Sequence, residues 1–383
     1  MPCYTVFAVR IAHVVPKYEQ PWSGVLTVIV DLAAALAARG HHVEVWRSHE
    51  WSPAVYEEQR TRLRDADVTE MPASSILRPG NAERLARQQG IDVLHLHGAF
   101  NTTNTAVSRS LRRPYVFSPH SGYDPVSLRR SRGRKLMYRV LFERRMLERA
   151  SLIVVLTEAE LGDLRRFGAH GPAEVIANGV RPAPEGLDRG AFRRELGLGL
   201  ADLLAAFVGR LDVYRKGLDL LVRGVAAAPG WHLALIGPRF RGVDRLDALV
   251  ADLGVGDRVH LAGERHGREL QESVASADLF ALLSRWEGLP MALLEALSLS
   301  VPAVVSAPVE RAVGVEAAGG GWLAEQDDLG SLLRRLSGPD RQALLDRGAA
   351  ALELSRRFDW GEVAARYEAA YERALGSRPT VSP

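Results

Sequence analysis

The chain has 383 residues, 47% of them hydrophobic and 25% charged, which is ordinary for a globular protein and long enough for two cores. Its formal charge of +3 is small for that length and makes no whole-chain case for binding nucleic acid. Its one cysteine, Cys3, excludes a disulfide framework within the chain and suits a reducing compartment, and no apolar run approaches the roughly 18 residues of a membrane span.

Strand-like and helix-like runs alternate along the chain. Residues 6–15 read as a first strand rather than a signal peptide, because Arg10 interrupts the apolar run and no basic leader precedes it. A cytoplasmic protein is the expectation. Residues 24–39 form an amphipathic helix that Gly40 ends. Further strands are expected at 42–47, 92–97, 115–118 and 152–156, the last fully apolar as buried parallel strands are. Turn residues then cluster at Asn178, Gly179, Pro182, Pro184 and Gly186. A second alternation follows, with strands at 205–209, 232–237, 259–262, 279–283 and 303–306 and a helix at 218–227. The α/β alternation predicts two doubly wound, Rossmann-like parallel-sheet domains, residues 1–184 and 185–359. A final helix over 360–375 places Val363, Ala364, Tyr367, Ala370 and Tyr371 at apolar positions. No G-x-G-x-x-G follows the first strand, which argues against a nicotinamide enzyme. The many arginines and alanines suggest a GC-rich bacterial genome.

The most informative stretch is 284–297. A buried strand ends, Gly288 and Pro290 make the turn, and a helix-former run begins at Met291. Pro290 suits the first helical position, where its missing N–H costs nothing. The helix start, with Leu289, Pro290, Met291 and Ala292 around it, presents backbone N–H groups that favour a phosphate. Glu287 in the turn and Glu295 one helical turn past Met291 are acceptors for sugar hydroxyls. Arg210 and Lys216, in the loop that follows Gly209, stand where open α/β sheets place ligands and can neutralise a diphosphate. A nucleotide sugar is the ligand this set implies.

Glu287 and Glu295 with seven residues between them, followed by Ala296 and Leu297 and then the run 301–306, resemble the E-x7-E signature of family 4 of the retaining glycosyltransferases. The resemblance covers nearly the whole chain. It implies the GT-B fold, two Rossmann-like domains facing a cleft, with the last helix, 360–383, crossing back to the N-terminal domain. The run from Gly209 to Gly217 resembles the family's G-R…K-G pair, and that pattern selects Lys216 over Arg215 as the diphosphate lysine. The family carries a glycine-rich turn where Pro21, Trp22, Ser23 and Gly24 stand; Ser23 replaces a glycine. Gly24 is either a contact for donor phosphate or acceptor or a plain helix start. His120, after Ser118 and Pro119, resembles the strand-end histidine expected to contact the transferred sugar. Ser300 stands where relatives usually have glycine.

Other features are weaker. His95 and His97 point to one face of a strand, but no third metal ligand is readable nearby, so no metal is expected. His97 either faces the acceptor or packs. Asp65 and Asp67 spell a D-x-D by chance in a polar stretch. Between Arg129 and Arg149 lie Arg130, Arg132, Arg134, Lys135, Arg139, Arg144 and Arg145, with Met137, Val140, Leu141, Arg144 and Leu147 at helical spacing. The plain reading is a core-facing helix with a solvated basic side. Peripheral contact with an anionic membrane at its inner face and contact with a polyanionic acceptor are the others.

The resemblance implies a retaining transfer of a hexose-type sugar from a nucleoside diphosphate to an acceptor hydroxyl on a glycan, lipid or small metabolite. A UDP-sugar is favoured over a GDP-sugar, with no metal or other cofactor. Arg210, Lys216, Glu287 and His120 carry the chemistry, and the donor's own phosphate accepts the proton. Domain closure would exclude water. The rivals are a sugar-nucleotide epimerase or phosphorylase on the same fold, and a non-catalytic nucleotide-sugar-binding protein.

Overall fold

The computed structural model describes residues 8–16, 24–49, 53–72, 78, 80–125, 128, 137–199, 201–325, 328–338 and 340–376. Cys3, the turn residues Pro21, Trp22 and Ser23, and Arg129, Arg130, Arg132, Arg134 and Lys135 lie outside the described residues.

The chain divides into two compact units, Met1–Gly179 with Trp360–Pro383 and Val180–Asp359. The first ends ahead of Pro182 and Pro184. Gly179 is pressed against Trp360 of the same unit, where an added Cβ would lie 2.3 Å from the indole.

Unit 1 is built on seven parallel strands, β1 (Arg10–Val15), β2 (His42–Arg47), β3 (Thr69–Pro72), β4 (Val93–His97), β5 (Tyr115–Ser118), β6 (Leu152–Val155) and β7 (Ala173–Val175). Their order is β3-β2-β1-β4-β5-β6-β7. Parallel neighbours cannot be joined by tight turns, so helices cross over and cover the strands. β4, β5 and β6 are accordingly buried along their whole length. The helix Trp360–Gly376 buries Val363, Ala364, Tyr367, Ala370, Tyr371 and Ala374. It packs on the helix Gly24–Ala38 and on β4, β5 and β6. Glu368 pins it further, accepting from Arg39 at 2.5 Å and pairing with His41 at 2.7 Å.

Unit 2 repeats the theme with six parallel strands in the order β12-β10-β8-β13-β14-β15. These are β8 (Leu203–Val208), β10 (Trp231–Ile236), β12 (Val259–Gly263), β13 (Leu279–Leu282), β14 (Ala303–Val305) and β15 (Gly321–Leu323). A small second sheet pairs β9 (Leu211–Asp212) with β11 (Arg239–Arg241). Both units are thus doubly wound α/β. No helix among the described residues is long and apolar enough to cross a membrane.

The basic stretch departs from expectation. Residues Arg139–Glu143 wind as a π turn before the helix Arg144–Arg149. The extra residue per turn rotates the apolar register. Met137 and Leu141, expected inward, are 61% and 57% exposed, whereas Glu143, Met146 and Leu147 are buried. Glu143 accepts from Phe100 N at 2.9 Å and from the Tyr123 hydroxyl at 2.7 Å.

Two details of the helix Met291–Ser298 also differ. Pro290 is its N-cap, with φ −78° and ψ 104°, rather than its first helical residue. At the far end, Ser300 adopts φ 61°, the left-handed conformation that follows a helix C-cap. That explains why glycine suits the position, since a Cβ there costs about 1–2 kcal/mol. Ser300→Gly should therefore raise stability, by up to about 1 kcal/mol. Thermal melting checks this; an unchanged or lower midpoint would mean the serine offsets its own strain.

Candidate active site

In unit 2 the site is assembled from the ends of β8 and β13. Gly209 follows β8 with φ 145°. Arg210 is exposed, with its guanidinium 5.1 Å from the centre of the Phe240 ring. Residues Val213–Lys216 then form one helical turn, with the Asp212 side chain accepting from Arg215 N at 3.4 Å. Gly217 ends the turn with φ 68°, and a Cβ added there would stand 2.2 Å from the Leu283 carbonyl oxygen. Only glycine lets the Lys216 turn lie directly on the end of β13.

That contact places Lys216 beside Glu287. Lys216 Nζ donates to Glu287 Oε2 at 2.6 Å, the buried Ser284 hydroxyl donates to the same oxygen at 3.0 Å, and the Arg215 guanidinium lies 3.8 Å from Oε1. Burial alone would push the Glu287 carboxyl up, but Lys216, Arg215 and Ser284 hold it below the usual carboxylate range. The two loops are also stitched by backbone and by charge. Arg285 N donates to Arg215 O at 2.9 Å, and the Arg285 guanidinium grips both Asp219 oxygens at 2.9 and 2.7 Å. Arg215 and Trp286 lie together at 5.8 Å, and Tyr214 and Trp286 at 5.9 Å.

The helix Met291–Ser298 opens next, with no side-chain cap; Leu293 N and Leu294 N turn back to Pro290 O. Leu289 and Pro290 are buried, and Gly288, Met291, Ala292 and Glu295 are half-buried. The structure thus brings Lys216, Glu287 and Ser284 into one hydrogen-bonded group with the Arg215 guanidinium at ion-pair distance, while Arg210 rests on Phe240. A cation that can hold a phosphate and a carboxylate that can accept from hydroxyls are side by side.

Unit 1 carries a different constellation. His95 and His97 of β4 are joined by His13 of β1, whose register partner is His95. All three are at most 1% exposed. One ring nitrogen from each lies within 4.8 Å of the others, a spacing compatible with an ion. Most of their nitrogens are nevertheless engaged. His95 Nδ1 meets the Tyr371 hydroxyl and Nε2 the Ser118 hydroxyl, both at 2.8 Å. His97 Nε2 meets His13 Nδ1, and His97 Nδ1 meets His120 Nε2, both at 3.0 Å. Only His13 Nε2 is buried without a partner among these ring atoms. His97 is therefore closed off from an acceptor: its surface is covered and both nitrogens face other histidines. Burial lowers all four rings, His13 to about 3 and His120 to about 4, so they are neutral at pH 7.

His120 is half-buried at a turn where it and Ser121 both take left-handed backbone, φ 50° and 59°. The Glu160 carboxylate fastens that turn, accepting from Ser121 N and, at 2.8 Å, from Leu156 N. Gly24 is exposed at the start of its helix. Sequence reasoning passed over His13, Ser284, Asp219 and Glu160, and set Arg215 aside in favour of Lys216. Two left signals: His13 interrupts the apolar run 11–15, and Thr157 with Glu160 three residues on has the spacing of a capping box.

A family model described as Glycosyltransferase Family 4 matches residues 22–183, and one described as Glycosyl transferases group 1 matches residues 188–338. A D-inositol 3-phosphate glycosyltransferase of Thermobispora bispora is 28% identical over 396 residues, covering 92% of this chain and 90% of that protein. Among solved structures, HepE of Anabaena in complex with UDP and glucose matches with a TM-score of 0.74 at 19% identity, over 95% of this chain and 99% of that one. Sucrose-phosphate synthase of Thermosynechococcus elongatus matches with a TM-score of 0.73 at 20% identity, over 96% and 100%.

Glu160 yields a pH prediction. Burial pushes its carboxyl up to about 7, against the pull of its two backbone N–H donors. A carboxyl raised in the folded state binds its proton more tightly there than in the unfolded chain. Its contribution to stability is full below the unfolded value of 4.5 and is lost as pH rises through about 7. The lowered histidines act in the opposite sense, losing stability as pH falls below their unfolded value. Glu160→Gln removes the first effect alone. From about pH 5 to about pH 8 its melting temperature should therefore fall less, or rise more, than that of the wild type. Parallel slopes in the two proteins would remove this role.

Proposed function

We propose, for a chain that belongs to family 4 of the glycosyltransferases and is a transferase using a nucleotide-sugar donor, that it moves a hexose-type sugar from a UDP-sugar to an acceptor hydroxyl with retention of configuration. The observation that carries the reading is the half-buried Lys216–Glu287 pair at 2.6 Å, at the end of β13 next to a helix start that no N-cap side chain closes.

Lys216 and Arg210 take the diphosphate, as a point charge and a planar fork respectively. Gly209 lets the backbone approach it. The N–H groups around Pro290, Met291 and Ala292 add to the phosphate contacts, with Gly288 and Leu289 shaping the turn. Glu287 accepts from the sugar's hydroxyls, and Glu295 from those of the ribose. His120 of unit 1 supports the reacting sugar, and Gly24 admits donor phosphate or acceptor. Neutralisation by these cations of the negative charge that develops on the leaving diphosphate is the main rate term. That same phosphate takes the acceptor's proton on the face it leaves, so no side-chain base and no metal are needed.

UDP is preferred because HepE of Anabaena, with the same fold, was crystallised with UDP and glucose. A phosphorylated polyol is the acceptor to test first, because the Thermobispora relative, which this chain matches over 90% of its length, is a D-inositol 3-phosphate glycosyltransferase.

Lys216→Ala should lower turnover by at least about 100-fold, the cost of removing one donor from a developing anion. Circular dichroism and the melting profile report whether the variant keeps the wild-type fold. A folded variant with wild-type turnover would remove the diphosphate role. In the wild-type protein, UDP-sugars should raise the melting temperature, since a ligand of the native state stabilises it.

A further inference from the structure

The three rings His13, His97 and His120 form a row joined by two hydrogen bonds of 3.0 Å, Nδ1 to Nε2 each time. The interplanar angles along the row are 20° and 21°. A neutral imidazole owns one N–H and one lone pair. Each bond therefore needs a donor on one ring and a bare nitrogen on the next, and the whole row must share one direction.

Two directions exist. In the inward one, His120 Nε2–H donates to His97 Nδ1, His97 Nε2–H donates to His13 Nδ1, and His13 keeps an Nε2–H. In the outward one, His13 Nδ1–H donates to His97 Nε2, His97 Nδ1–H donates to His120 Nε2, and His120 keeps an Nδ1–H. The buried end decides between them. His13 Nε2 has no partner and no access to water. The inward direction leaves a buried N–H without an acceptor, whereas the outward one leaves only a lone pair there. Orphaned buried N–H groups are the rarer and costlier of the two.

We propose that His13 and His97 are positioning residues that lock His120 in the Nδ1–H tautomer, so that its free edge is a hydrogen-bond donor and not a base. No described residue partners that Nδ1. In this state His120 has no free lone pair: Nε2 is occupied by His97 and Nδ1 carries a proton. It can donate to an oxygen of the sugar or of the acceptor. It cannot remove the acceptor's proton unless all three rings change tautomer. The inference rests on the reading of His120 as a sugar-facing residue, and it gives that reading a chemical form. It also removes histidine as a competitor to the departing phosphate for the acceptor's proton.

His13 is the place to test it, since His97 separates it from His120. Nitrogen-15 spectra of the full-length protein, assigned by single histidine substitutions, should show Nδ1 protonated on His13, His97 and His120 alike. A protonated Nε2 on His120, or a mixture of its tautomers, overturns the proposal whatever the activity. His13→Leu removes the first donor of the row. His120 should then show mixed tautomers and kcat should fall by about 10- to 100-fold, as for other groups that orient a functional histidine, with the donor KM kept. His13→Asn, whose amide can donate to His97 Nε2, should restore much of the loss. Wild-type kcat in a folded His13→Leu variant overturns the proposal. Wild-type turnover in His120→Ala removes the sugar-facing role instead, and shows that the tautomer lock serves no catalytic purpose.

Discussion

A carboxylate taken out of water must be held by charge or become neutral. Glu287 is such a group, and the end of β13 is organised around it. Lys216, Arg215 and Ser284 surround its two oxygens, and Arg285 with Asp219 clamps the loops that supply them. The clamp depends in turn on a backbone detail, the absence of a side chain at Gly217 against the Leu283 carbonyl. A cation and an anion are thereby fixed in each other's field before any substrate arrives. That is the electrostatic preorganisation a phosphate-leaving reaction needs.

Unit 1 solves a different problem. Three histidines lie in the layer of side chains over β1 and β4, where apolar residues would pack more cheaply. Their cost is offset by hydrogen bonds that run through Tyr371, Ser118 and one another to the turn at His120. A network of this kind specifies orientation more than stability. The left-handed backbone at His120 and Ser121 is held by Glu160 from a separate helix, while the His120 ring itself is held by His97.

The fold was legible because it is written in periodicity. Apolar runs such as 152–156 and 279–283 are too short for helices and lie between helical patterns, and all-parallel sheets follow from that alternation. Glu287, Lys216 and His120 were legible through their place at strand ends and their resemblance to a family pattern. The rest depended on neighbours that no local pattern encodes. His13 and His97 are far apart in sequence and meet only because β1 and β4 are adjacent in the sheet. Asp219 meets Arg285 only because Gly217 permits a close approach. The apolar stripe over 137–147 misled for another reason: a helical wheel assumes the α repeat, and Arg139–Glu143 do not keep it.

That π turn has a mechanical consequence. It carries Glu143 inward, where one carboxylate oxygen takes both the Phe100 amide, three residues beyond His97, and the Tyr123 hydroxyl, three residues beyond His120. The outer side of the same segment presents Leu141 and the arginines 144 and 145 to solvent. One carboxylate oxygen thus ties this outward-facing segment to both of the loops that follow the histidines.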